Sequence, residues 1–225
     1  VPLWDPQLAA AEVRRNAARG CRAVAFSELP SWLGLPSIHT RHWDPFFQAC
    51  EETSTVLAMH IGSGTKTVTT SPDAPTVVAA NLIACNSVAS MVDWLFSGVF
   101  DRFPGIQLLY AESQIGWIPY FVERADDTWQ THQWAQGEER SQRPPSDYYR
   151  EHISACFFKD TVGIDLLDRI GEDNVLFETD YPHQDGTFPR SKQVAEELFG
   201  HLPQPTINKI ARGNAIKLLG LDFEP

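Results

Sequence analysis

The sequence predicts an α/β domain built on parallel strands. Short apolar segments alternate with helix-forming segments along the whole chain, the pattern that places helices over a parallel sheet. The run Val175-Leu176-Phe177 has no polar alternation, which suits a strand buried on both faces. No internal repeat or low-complexity tract breaks the alternation. With 225 residues, 43% of them hydrophobic, the chain can build one substantial core, so residues 1–225 are read as a single domain.

Pro2-Leu3 reads as the remnant of a strand entering a loop. Gln7 to Gly20 is rich in Ala, Glu and Arg and closes on a glycine where a helix C-cap wants one. Residues 21–26 form a strand, and the long loop from Ser27 to Asp44 has the length of a site-shaping segment. Asp44-Pro45 reads as the N-cap and first position of a helix. A strand over 55–61 ends near His60. From Pro75 to about Phe100 one long helix is expected, with Val78, Leu82, Cys85, Ala89, Val92 and Phe96 facing the core at helical spacing. Strand 106–112 ends in Glu112, and Trp117 to Asp126 is a helix with Pro119 in its first turn. A strand at 153–158 and a helix from Thr161 to Ile170 follow, then strand 175–179 and a helix from Ser191 to Leu202. The last helix, Ile207 to Gly220, places Ile207, Ile210, Ala211, Asn214 and Leu218 on one face. Six strands are too few to close an eight-stranded barrel.

Eighteen Lys and Arg against 29 Asp and Glu give a net charge of −11, a field that repels phosphate backbones and anionic lipid. Nucleic acid and membranes are therefore not expected partners. The longest apolar region, Val77 to Phe100, is interrupted by Asn81, Asn86 and Asp93 and reads as a core helix rather than a membrane span. Cys21, Cys50, Cys85 and Cys156 form no Cys-x-x-Cys pair and suit buried thiols in a reducing, cytoplasmic compartment.

Three strands end in a group able to bind a metal or move a proton: His60, Glu112 and Asp180. Asp180 is followed by Tyr181-Pro182-His183, and Pro182 must stop the ladder, so Asp180 and His183 share a loop. Parallel-sheet enzymes place their chemistry at the C-terminal ends of strands. Imidazole and carboxylate suit a divalent ion, which lowers the pKa of bound water to about 7, and an adjacent carboxylate can then handle the proton. The bland alternatives are a hydrogen-bonded core histidine at 60, a capping carboxylate at 112 and a turn-capping aspartate at 180. His183, Ser113, Trp117 and His42 are the candidate substrate contacts. Core packing for Trp117 and a capping role for His42 are the competing readings.

Several motifs also resemble the amidohydrolase-2 family, the metal-dependent (β/α)8-barrel enzymes that include aminocarboxymuconate semialdehyde decarboxylase and related aromatic-acid decarboxylases. They are Met59-His60-Ile61-Gly62, the stretch from Ala111 to Asp126 with its Trp-Ile-Pro-Tyr-x-x-Glu-Arg string, Glu178-Thr-Asp-Tyr-Pro-His183, and Gly213 to Gly220. The resemblance implies a TIM-barrel-like fold in which His60 ends the fifth strand as a metal ligand. Asp180 would end the eighth, binding the metal and handling its water's proton. It also implies that Val1 to Trp4 corresponds to the family's third strand, so that the first two strands, with their His-x-His pair, lie outside this sequence. Glu112-Ser113 stands where many members carry a histidine; a carboxylate there can ligate a metal or act as a base, but not as a cationic electrophile. The expected function is a metal-dependent hydrolase acting on a small organic acid, amide or lactone, with zinc favoured over manganese or iron and a homodimer as the assembly. The alternatives are a non-oxidative decarboxylase of an aromatic or unsaturated acid, and a non-catalytic barrel that has lost its metal site.

Overall fold

A computed structural model describes residues 1–137 and 141–223. Its centre is a five-stranded sheet, β1 (Ala23–Phe26), β2 (Val56–His60), β3 (Leu108–Ala111), β4 (Ile153–Phe157) and β5 (Val175–Phe177). All pairings are parallel and the spatial order follows the chain, β1-β2-β3-β4-β5, as in the wall of an α/β barrel. Pro2-Leu3 is not a strand: it enters a turn in which the Asp5 amide donates to the Pro2 carbonyl, and Asp5 then caps the first helix.

The helices are α1 (Pro6–Ala17), α2 (Asp44–Glu52), α3 (Thr76–Leu82), α4 (Ala84–Leu95), α5 (Val99–Arg102), α6 (Ile118–Thr131), α7 (Pro145–His152), α8 (Thr161–Asp165), α9 (Leu167–Ile170), α10 (Ser191–Phe199), α11 (Gln204–Asn208) and α12 (Asn214–Leu218). Helix α7 was not expected from the sequence. Asp44 is the first residue of α2 rather than its cap, because a 3-10 turn over Arg41–Trp43 leads directly into it. The Asp44 carboxylate instead pairs with Arg102 at 3.2 Å. A π turn, Lys209–Gly213, joins α11 to α12, so Ala211 rotates out to solvent while Asn214 stays buried.

The expected helix from Pro75 to Phe100 divides into α3, α4 and α5, and its core face differs from the one anticipated. None of Val78, Leu82, Cys85, Ala89, Val92 and Phe96 is buried. The buried residues of α4 are Asn86, Ser87, Ser90, Met91, Trp94 and Leu95. Small hydroxyl side chains let the helix approach the sheet closely and find partners there: Ser90 bonds the Tyr110 hydroxyl at 2.9 Å. Thr76–Leu95 is long and apolar enough to cross a membrane by length and composition, but the inner face of α4 is committed to the core. Around it Phe26, Trp43, Phe46, Phe47, Trp94 and Phe100 form a contiguous aromatic cluster. On β3, burial alternates, with Leu108 and Tyr110 buried and Leu109 and Ala111 half-buried. Helices therefore cover one face of that strand, while β4 is buried on both. Of the cysteines, Cys50 and Cys156 are buried, and Cys21, contrary to expectation, is exposed.

Candidate active site

Because the strands run parallel and His60 pairs with Ala111, the residues that follow β2 and β3 emerge side by side at one rim. His60 Nε2 lies 2.5 Å from Glu112 Oε1, and His60 Nδ1 lies 2.8 Å from the Ile61 carbonyl. From β5, Asp180 reaches the same rim and its Oδ2 accepts from His183 Nδ1 at 2.9 Å. Donor atoms of Glu112, Asp180 and His183 all lie within 4.8 Å of one another. His60 and Asp180, remote in the chain, are thus joined through Glu112.

The backbone bends sharply to make this possible. Glu112 (φ 61°) and Asp180 (φ 51°) both occupy the left-handed region, a strained conformation that non-glycine residues adopt mainly where the surroundings hold them there. The Asp180 loop is held by the Thr187 amide on the Thr179 carbonyl (2.9 Å) and the His183 amide on the Asp180 carbonyl (2.8 Å). Gly186 fits because a Cβ there would stand 2.5 Å from the Asp180 carbonyl oxygen.

Beneath the cluster sits Glu178, a residue the sequence reading passed over. Its carboxyl accepts the Glu112 amide at 2.7 Å and is pushed up to about 7 by burial, with the Glu112 and Asp180 charges adding to the effect. The signal was present: Glu178 and Asp180 are two apart, so an extended chain puts both carboxylates on one side. His60 is drawn down by burial, but the Ile61 carbonyl and the Glu112 and Glu178 charges outweigh this and raise it above the ordinary histidine value.

A cleft of about 420 Å³ opens over the cluster, walled by Ile61, Ile83 and Phe158 and edged by Asn81, Gln114 and Lys159. The three other predicted substrate contacts do not line it. Ser113 is fully buried and its hydroxyl donates to the Gln114 carbonyl; its own carbonyl accepts the Trp117 indole at 2.8 Å. Trp117 packs against the core. His42 stacks edge-on to Trp43 in the loop before α2. Loop position made these three look available, and their own backbone and core contacts claim them. His152 is 2% exposed and lies flat on Phe100.

The sequence profile of the amidohydrolase family (Amidohydro_2) matches residues 1–221. The chain belongs to that family. Among solved structures, a 5-carboxyvanillate decarboxylase from Sphingomonas paucimobilis is 19% identical, with a TM-score of 0.77 over 97% of this chain and 64% of that one. An amidohydrolase from Mycobacterium avium subsp. paratuberculosis is 24% identical, with a TM-score of 0.78 over 98% and 56%. A dihydroxybenzoic acid decarboxylase from Polaromonas, with bound manganese and the inhibitor 2-nitroresorcinol, is 19% identical, with a TM-score of 0.75 over 100% and 68%. The chain thus spans less than two thirds of the first two. These amidohydrolase-family structures show the fold, and the expected barrel-type architecture is borne out: the five strands are part of a (β/α)8 barrel wall. Helices α3 and α4, which cover Thr76 to Leu95, lie inside the family match.

Proposed function

We propose that this protein is a divalent-metal-dependent, non-oxidative decarboxylase of a small aromatic acid. The observation that carries the reading is the meeting of Glu112, Asp180 and His183 on one cleft, with His60 from a third strand end set against Glu112. Its apolar walls, Ile61, Ile83 and Phe158, suit a single ring, and Lys159 supplies a cation at its edge. That the family's solved structures include decarboxylases of aromatic acids supports decarboxylation over the hydrolysis expected from sequence.

One imidazole with two carboxylates is a donor set that fits a divalent ion, and its oxygen-rich character suits manganese at least as well as zinc. We assign His60, Glu112 and Asp180 to hold it. When bound, the ion would neutralise the clustered carboxylates and orient the acid substrate. Lys159 faces the substrate's negative charge, and Phe158 packs against its ring. His183 passes its Nδ1 proton to Asp180, which delivers it to the ring carbon. The carbon–carboxylate bond breaks, its electron pair takes that proton, and CO₂ leaves. His183 takes a replacement proton from solvent.

The test is CO₂ release from hydroxybenzoates and carboxylated phenols by the metal-reconstituted full-length protein, run beside incorporation of labelled water oxygen into amide and lactone substrates. CO₂ without label incorporation supports the decarboxylase; label without CO₂ restores hydrolysis. Retention of less than a tenth of an equivalent of metal after reconstitution would favour a non-catalytic barrel.

A further inference from the structure

Behind His60 stands a buried acid that the proposed chemistry does not use. Glu28 follows β1 and is 1% exposed, a burial that glutamate tolerates only when fully paired. Its Oε1 accepts the Ser87 hydroxyl at 2.5 Å and its Oε2 accepts the Gly62 amide at 2.9 Å. Two further bonds stitch the same loops together: the Glu28 amide donates to Ser63 Oγ, and the Ser27 hydroxyl donates to the Ser63 carbonyl.

The Gly62 amide belongs to the same peptide unit as the Ile61 carbonyl, and that carbonyl is the partner of His60 Nδ1 at 2.8 Å. A carbonyl can only accept, so Nδ1 carries a proton. One planar peptide therefore has a carboxylate on its N–H and an imidazole on its C=O. Hydrogen bonds in such a chain polarise one another: negative charge at the N–H end makes the carbonyl a stronger acceptor. Nδ1–H is thereby favoured, whereas the Glu112 carboxylate, 2.5 Å from Nε2, draws a proton onto the other nitrogen when no metal is bound.

We propose that Glu28 is a positioning residue that acts through the Ile61–Gly62 peptide to fix the orientation and tautomer of His60. The inference rests on the reading of His60 as a metal ligand, but the relay itself exists with or without metal and is tested without it. Histidine ligands elsewhere are oriented by a hydrogen bond on the second ring nitrogen, and loss of such a partner costs about 10- to 100-fold in metal affinity.

The experiment is nitrogen NMR of ¹⁵N-histidine-labelled full-length Glu112→Gln protein, free of metal, at a pH high enough to keep the rings neutral; the substitution removes the carboxylate that would otherwise accept a proton from Nε2. His60 is assigned by the signals lost when His60→Asn is added. The Glu112→Gln parent is expected in the Nδ1–H form. In that parent Glu28→Gln keeps the shape but removes the charge, and should raise the share of the Nε2–H form by about two- to tenfold with a melting temperature close to the parent's. Ser87→Ala removes only the bond to the other oxygen and should leave the tautomer balance alone. Glu28→Asp, which withdraws the charge from Gly62, serves if Glu28→Gln fails to fold and should show the same shift. An unchanged balance in the folded Glu28 variant overturns the relay. Calorimetric titration with Mn²⁺ then separates the two readings. About tenfold weaker binding in Glu28→Gln supports both, whereas no binding by wild type removes the ligand reading and leaves the relay to stand or fall on the NMR result.

Discussion

Asp180 shows how much a single side chain is asked to do. Its carboxylate is nearly enclosed, meets His183, and belongs to the donor cluster with Glu112. In the proposed reaction Asp180→Asn preserves the shape but removes the charge that would balance the cation and the group that would carry the proton, and should lower kcat by about 10²- to 10⁴-fold while leaving the thermal midpoint almost unchanged. A parallel loss with a chelator, reversed by Mn²⁺, would place both effects in one site; full activity after the metal is stripped would contradict the proposal. His152 gives a pH prediction of the opposite kind, one of stability. Burial against Phe100 outweighs its bond to the Ile106 carbonyl and holds its folded pKa below the ordinary 6.5. Between that depressed value and 6.5 the unfolded chain binds a proton that the folded chain refuses, so stability falls as the pH drops below 6.5. In His152→Phe that part of the pH dependence of urea unfolding should vanish.

Elements meet at the rim through shared caps. Asp160 caps α8 by accepting the Gly163 amide at 2.8 Å, and its other oxygen accepts the Ile115 and Gly116 amides at 2.7 and 2.6 Å. One carboxylate therefore ties the loop after β3 to the start of α8, and holds the chain segment that carries Glu112. Gly116 is glycine because a Cβ would stand 2.9 Å from Asp160 Oδ1. Asp160→Ala leaves three buried or half-buried amides without an acceptor and should cost about 1–3 kcal/mol of stability in urea melts. Gly163→Ala, whose new methyl would sit 2.3 Å from Ile115 Cγ1, should cost a similar amount, about 1–3 kcal/mol, by overpacking. A melt unchanged in both variants would mean the two loops are held by something else. The misread face of α4 belongs to this scale too. Apolar periodicity pointed to Val78 through Phe96, yet the sheet accepted the serine face, because Ser87 and Ser90 had buried partners in Glu28 and Tyr110.

At the scale of the molecule the sheet is open. β1 and β5 each pair on one side only among the described residues. Beside β1 lies a hollow of about 210 Å³ lined by Val1, Val13, Val24 and Ala25, and Ala25 is exposed. Unpaired strand backbone invites pairing with another strand. The 225-residue chain produced alone should sediment as more than a monomer, and Ala25→Lys should shift it towards monomer. A wild-type chain that stays monomeric at tens of micromolar would count against this. The net charge of −11 opposes Lys159 at the cleft: an acidic surface repels the proposed acid substrate at long range, and the local cation supplies the short-range attraction.

Strand-helix alternation and the placement of His60, Glu112 and Asp180 at strand ends were legible in the residues alone, since periodicity and proline punctuation are local properties of a chain. That the strands run parallel was legible in this alternation, whereas their spatial order, β1-β2-β3-β4-β5, is a fact of the structure. What only the tertiary structure decided was which groups meet. Nothing local links Glu28 to Gly62 or Glu178 to the Glu112 amide, and Ser113 and Trp117 were lost as site residues to contacts made by their own backbone and core. Local sequence sets the direction in which a side chain leaves its element, whereas its partner is set by the register of neighbouring strands and by burial, which depend on the whole fold.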